Sequence, residues 1–167
     1  MKNWRFIILY LMLVAGQVIL CNYFGLSQYV LISWLPVLIL MLPHRMGSIV
    51  SMIVAFACGF VVDFFSTGML GITSLALVPV ALSRRALIPL VFGDEQVTRD
   101  EELSIARFGI IKMALAILVS CGIFFLVYIW ADSAGTVNFW RAATRYLLSV
   151  LVSTPICLYV AKLLRPE

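Results

Sequence analysis

A chain of 167 residues that is 63% hydrophobic and only 12% charged, with a mean hydropathy of +1.09, reads as an integral membrane protein rather than a soluble domain. Its length accommodates about six spanning helices of roughly twenty residues each and leaves no room for a soluble catalytic domain. The net charge of +4 comes with no basic run longer than two residues, so it reads as an orientation signal rather than as a nucleic-acid or acidic-partner surface.

Six apolar segments follow in chain order: residues 6–24, 26–42, 47–65, 69–83, 108–131 and 144–164, with a cytoplasmic connection over 84–107. The first follows Met1-Lys-Asn-Trp-Arg5 and has no small-x-small cleavage site, so it reads as an uncleaved helix. The second and fourth are short and carry Pro36 and Pro79. They are expected to be kinked, tilted, or embedded among neighbours that satisfy the freed backbone groups. The third places small residues at every fourth position, Gly47, Ser51, Ala55 and Gly59, and the same row reaches Asp63. Such a row is a slanted ridge along which another helix can approach closely. It serves either internal packing or a partner in the membrane, and bulky residues at Ala55 or Gly59 are expected to unfold the protein or detach that partner.

Asp63 is the most informative single residue, because an acid at membrane depth is costly to place. Three roles stay open for it: a wetted position at the outer interface, a cap on the turn that follows, or an ion pair with Arg141 or Arg145. In the connection, 83–92 is apolar with a basic start, an interfacial segment or an extension of the fourth helix. Residues 93–102 are polar and mixed in charge, a solvated linker or a docking surface.

With the N-terminus inside, ten Lys and Arg residues fall on one side and only Arg141 and Arg145 on the other, which puts both termini in the cytoplasm. Lys112 lies just inside the fifth helix and can snorkel to the interface. Trp4, Tyr23, Tyr128, Trp130 and Trp140 fall near helix ends, as interfacial aromatics do. The cysteines at 21, 58, 121 and 157 stand singly, without the spacing of a metal site. The only histidine, His44, has no nucleophile at suggestive spacing, and no phosphate-binding glycine loop is present. No enzyme activity, cofactor or metal is expected.

The stretch Gly59-Phe-Val-Val-Asp63-Phe-Phe-Ser66-Thr-Gly68-Met-Leu-Gly71 resembles the rod-shape-determining protein MreD family, whose members carry a glycine, an acid, a small residue and two further glycines in this order. The matching positions are Gly59, Asp63, Ser66, Gly68 and Gly71, and the resemblance is specific over residues 55 to 85. It implies a non-enzymatic scaffold of the bacterial cell-elongation machinery in the inner membrane. Its implied partners are the bitopic protein MreC, with MreB, RodA and a penicillin-binding transpeptidase beyond it. It also implies an all-α bundle similar to the substrate-binding subunits of energy-coupling-factor transporters. That kinship supplies the alternative function, a small-molecule-binding subunit of such a transporter. The outer connections offer few polar side chains (Asn22, Gln28, Ser66, Thr67, Asp132 and Asn138), which favours the scaffold over a closed polar pocket.

Overall fold

The computed structural model describes residues 2–23, 31–43, 47–66, 70–93, 109–133 and 139–164, excepting the side chains of 2–6 and 139. The described residues form an all-α membrane bundle: α1 (Lys2–Tyr23), α2 (Leu35–Leu40), α3 (Ser48–Ser66), α4 (Ile72–Phe92), α5 (Ile110–Ser133) and α6 (Phe139–Leu164). The last four are long and apolar enough to cross a membrane, and α1 carries a shorter apolar stretch, Ile7–Tyr23.

Contacts among the helices close into a ring. α1 packs on α3, α3 on α4, α4 on α5, α5 on α6, and α6 returns to α1. α2 stands inside this ring and touches all five of the others. Residues Leu35 to Leu42 are accordingly all buried. Buried around them are Ala76, Leu77 and Val80 of α4, Met113, Ile117 and Phe124 of α5, and Cys157 and Val160 of α6. The outward faces carry Ile53, Phe56 and Phe60 on α3 and Leu147, Leu151 and Tyr159 on α6, as lipid-facing surfaces should.

The helices alternate in direction. At one end of the bundle, the Asn22 side-chain amide donates to the Phe65 carbonyl and Arg145 meets Asp132 at 2.6 Å. At the other end, Arg84 reaches the Leu42 carbonyl and Ser51.

Two predicted segments are drawn differently by the structure. The second, expected as a helix over 26–42, is non-helical over 31–34 and helical only from Leu35 to Leu40, while residues 24–30 lie outside the described part. Pro36 sits at the start of that short helix, where its missing N–H costs nothing and its fixed φ suits the first turn. The fourth does not stop at residue 83 but continues to Phe92, the helix extension that is one of the two readings of 83–92, so the expected connection at 84–107 begins nine residues later. Pro79 and Pro89 both lie inside this helix. Each removes one backbone donor, a defect that packing against α3, α5 and α2 contains.

α3 and α4 approach each other closely at Gly59. A Cβ there would lie 2.5 Å from Ser74 Cα and 2.6 Å from Ser74 N, both backbone atoms that cannot swing aside. Ser74 uses the approach to donate its hydroxyl to the Phe56 carbonyl at 3.2 Å. Gly47, in the same row, has nothing within 4 Å of its missing Cβ. Gly59→Ala should therefore force α3 and α4 apart and lower stability by about 2 kcal/mol, whereas Gly47→Ala should be close to neutral. Thermal unfolding of the two variants in detergent separates these outcomes.

Candidate functional site

Asp63 is fully buried near the C-terminal end of α3. Its carboxylate collects the free N–H groups at the start of α4. Oδ2 accepts from Gly71 N at 2.9 Å, Thr73 N at 3.0 Å and Ser74 N at 3.4 Å, and Oδ1 accepts from Thr73 N at 3.2 Å. The first turn of a helix leaves such donors unsatisfied and carries a partial positive charge, so a carboxylate there meets both needs. The cap comes from the preceding helix rather than from the N-cap residue. Gly71 occupies the N-cap with φ +101° and gives no side-chain cap of its own, a backbone conformation that glycine adopts without strain.

Of the three roles open to Asp63 in the sequence, the geometry is that of the cap. It is not wetted, being fully buried, and Arg145 is engaged with Asp132 while Arg141 is exposed.

The other residues singled out in the sequence divide around it. Ser51, Ala55 and Gly59 are buried along the same face of α3 as Asp63, so the row from Ser51 to Asp63 is an internal seam against α4 and not a surface for a partner. Of the two readings open for that row, the part from Ser51 to Asp63 is internal packing, while Gly47, at the open end, has nothing within 4 Å of a Cβ. Ser66 ends α3, and its Oγ is buried without a hydrogen-bond partner. Gly68 lies outside the described residues.

Arg84 forms the second buried polar centre, and nothing in the sequence reading anticipated it. Placed on α4 about 16 Å beyond Thr73 at 1.5 Å per residue, it is 5% exposed. Its Nε donates to the Leu40 carbonyl at 3.2 Å, Nη1 to Ser51 Oγ at 3.2 Å, and Nη2 to the Leu42 carbonyl. Leu40 ends α2, where carbonyls lack partners and the helix is partially negative. Arginine's planar fork spreads its donors over these separate acceptors, whereas a lysine would offer a single point charge.

A third polar cluster surrounds the non-helical residues 31–34. Gln17 of α1, 1% exposed, donates to the Ile32 carbonyl at 3.0 Å and accepts from Trp34 N at 3.2 Å. Ser149 Oγ of α6 accepts from Leu31 N at 3.0 Å. Ser153 Oγ accepts from Ser33 N at 3.4 Å and donates to the Leu31 carbonyl at 3.3 Å. Cys157 Sγ lies 3.5 Å from the Ser33 carbonyl, and the Trp34 indole N–H donates to the Leu13 carbonyl at 2.9 Å. Side chains of α1 and α6 thus do for this backbone what a helix would do for itself. The row Ser149, Ser153, Cys157, at every fourth position of an apolar helix, was the sequence signal for this contact.

Beside the cluster lies a cavity of about 40 Å³ lined by Gln17, Ser33, Val62, Ser66, Thr73 and Tyr128, among others. It has room for a few water molecules, and the lone Ser66 hydroxyl borders it. Among the described residues no group of three or more His, Cys, Asp or Glu could hold a metal ion.

Comparison with known protein families, with curated proteins and with solved structures gives no match for this chain. Fold and site together define a multi-pass, all-helical membrane protein whose polar interior is built from helix ends and one helix break.

Removing the Asp63 carboxylate should strand three N–H groups at the start of α4, two of them buried. Asp63→Ala should lower stability by about 3 kcal/mol, since hydrogen bonds to a buried charge are among the strong ones. Asp63→Asn keeps one acceptor oxygen but turns an amide NH₂ toward the remaining donors, so its loss should fall between wild type and Asp63→Ala. Thermal or denaturant unfolding of the three proteins in the same detergent measures the order.

Proposed function

We propose that this protein is a non-enzymatic scaffold of the bacterial cell-elongation machinery, held in the inner membrane with both termini in the cytoplasm. The observation that carries the reading is the unit formed by Gly59, Asp63 and Gly71, the positions on which the resemblance to the MreD family rests. Gly59 lets α4 touch α3, Asp63 caps α4 across that contact, and Gly71 makes the turn between them. The pattern therefore has one physical purpose here, a rigid helix pair, and a rigid pair suits a protein that positions others.

The ten-to-two division of Lys and Arg supports the orientation. It agrees with the alternating helices, which put Arg84 at the end of the bundle away from Arg145 and Asp132. The bitopic MreC is the proposed direct partner, with MreB, RodA and a transpeptidase reached through it. Because the seam from Ser51 to Asp63 is internal, a partner helix meets other faces than the one the small residues mark. The cavity of about 40 Å³ is far below the several hundred Å³ of ordinary small-molecule sites, which weighs against the transporter-subunit alternative.

Depletion of the protein should make rod-shaped cells round up, and affinity purification from native membranes should bring down an MreC-type partner. Cells that keep their shape but lose uptake of a vitamin or metal, with an ATPase module copurifying, would replace this reading with the transporter subunit.

A further inference from the structure

Two of the four cysteines meet in the core. Cys121 of α5 and Cys157 of α6 are both fully buried, and their sulfur atoms lie 3.7 Å apart. The contact is directional: the Cys121 thiol points at Cys157 Sγ, and Cys157 in turn approaches the Ser33 carbonyl at 3.5 Å. The pair therefore abuts the non-helical segment on which the centre of the bundle is built. The other two cysteines are placed differently. Cys21 neighbours Gln17 and Cys58 neighbours Tyr10, each half-buried on its own helix.

We propose that Cys121 and Cys157 form a dithiol modification site, which an uncharged, bilayer-soluble two-electron acceptor of the azo or quinone class converts into a disulfide between α5 and α6. A buried thiol is ordinarily inert because ionic oxidants and thiolate reagents do not reach it. This pair differs in that the second sulfur is already in contact with the first, so the bond-forming displacement is intramolecular. The sulfurs must close from 3.7 Å to about 2.0 Å, a movement within reach of side-chain rotation and a small approach of the helices.

With an azo acceptor, one thiol adds across the N=N bond to give a sulfur–nitrogen adduct. The second sulfur then attacks the first, the S–S bond forms and the S–N bond breaks. Two electrons and both thiol protons leave on the resulting hydrazine. The product loses the Cys157 S–H that faces the Ser33 carbonyl and gains a covalent tie between two ring helices beside the break.

The test uses the full-length protein in isolated native membranes with diamide as oxidant, followed by denaturation and a maleimide mass tag that counts free thiols. Wild type should carry four tags before treatment, two after it and four again after reduction, migrating as a monomer throughout. Peptide mapping of the oxidised wild type should recover Cys121 joined to Cys157. Cys121→Ser and Cys157→Ser should each carry three tags with or without diamide. The oxidised wild type should also unfold at a higher temperature than the reduced form. Four tags retained at a diamide concentration that fully oxidises an exposed control dithiol would overturn the proposal. So would a mapped disulfide involving Cys21 or Cys58, which the wild-type protein reveals without any variant.

Discussion

Backbone amides in a lipid-embedded interior have no water to fall back on, and each one left without a partner costs several kcal/mol. The centre of this protein meets that constraint with a segment that is not helical throughout. Residues 31–34 are non-helical inside a ring of five helices, and each has a backbone N–H or C=O bonded to Gln17, Ser149 or Ser153, with Cys157 beside the Ser33 carbonyl. The six-residue α2 that follows is too short to be stable alone; it persists because every residue of it is buried by its neighbours. Ring and centre depend on each other, since the ring helices supply the partners and the centre fills the space between them.

The two charges buried among the described residues obey the same logic, one at the start of α4 and the other midway along it. Asp63 takes the partially positive start of α4, and Arg84 takes the partially negative end of α2. A carboxylate among N–H donors and a guanidinium among carbonyls recover in hydrogen bonds much of the hydration they lose on burial. The small residues between them have a matching purpose. Ser51 receives Arg84, Ala55 and Gly59 let α4 close on α3, and Asp63 completes the row.

The helical fold was legible from hydropathy, and the ends of the first, third, fifth and sixth helices fell within about five residues of their predicted positions, because long apolar runs bounded by polar turns admit little else. The importance of Asp63 and Gly59 was legible for the same reason that makes them costly or permissive in lipid. The break at 31–34 was not. An apolar run reads alike whether buried as helix or as extended chain, and Pro36 hints at a boundary without placing it. Arg84 was misread because a cation after an apolar stretch ordinarily marks the interface; its burial follows only once the carbonyls of Leu40 and Leu42 are seen to converge on it. Nor were Gln17 and the Ser149–Ser153–Cys157 row legible, since their meaning lies in the non-helical residues 31–34, which are about fifteen residues from Gln17 but more than a hundred from the α6 row.

The central account is that residues 31–42 form a locked core held by side chains from α1, α4 and α6, and amide hydrogen exchange of the protein in lipid nanodiscs tests it most directly. Amides of 31–42 should exchange as slowly as those in the middle of α5. Replacing Gln17 by Leu should accelerate residues 32–34 by at least tenfold, which corresponds to about 1.4 kcal/mol of local opening, while leaving α5 unchanged. Exchange of 31–34 within seconds in the wild-type protein, as for a solvated loop, would contradict the account.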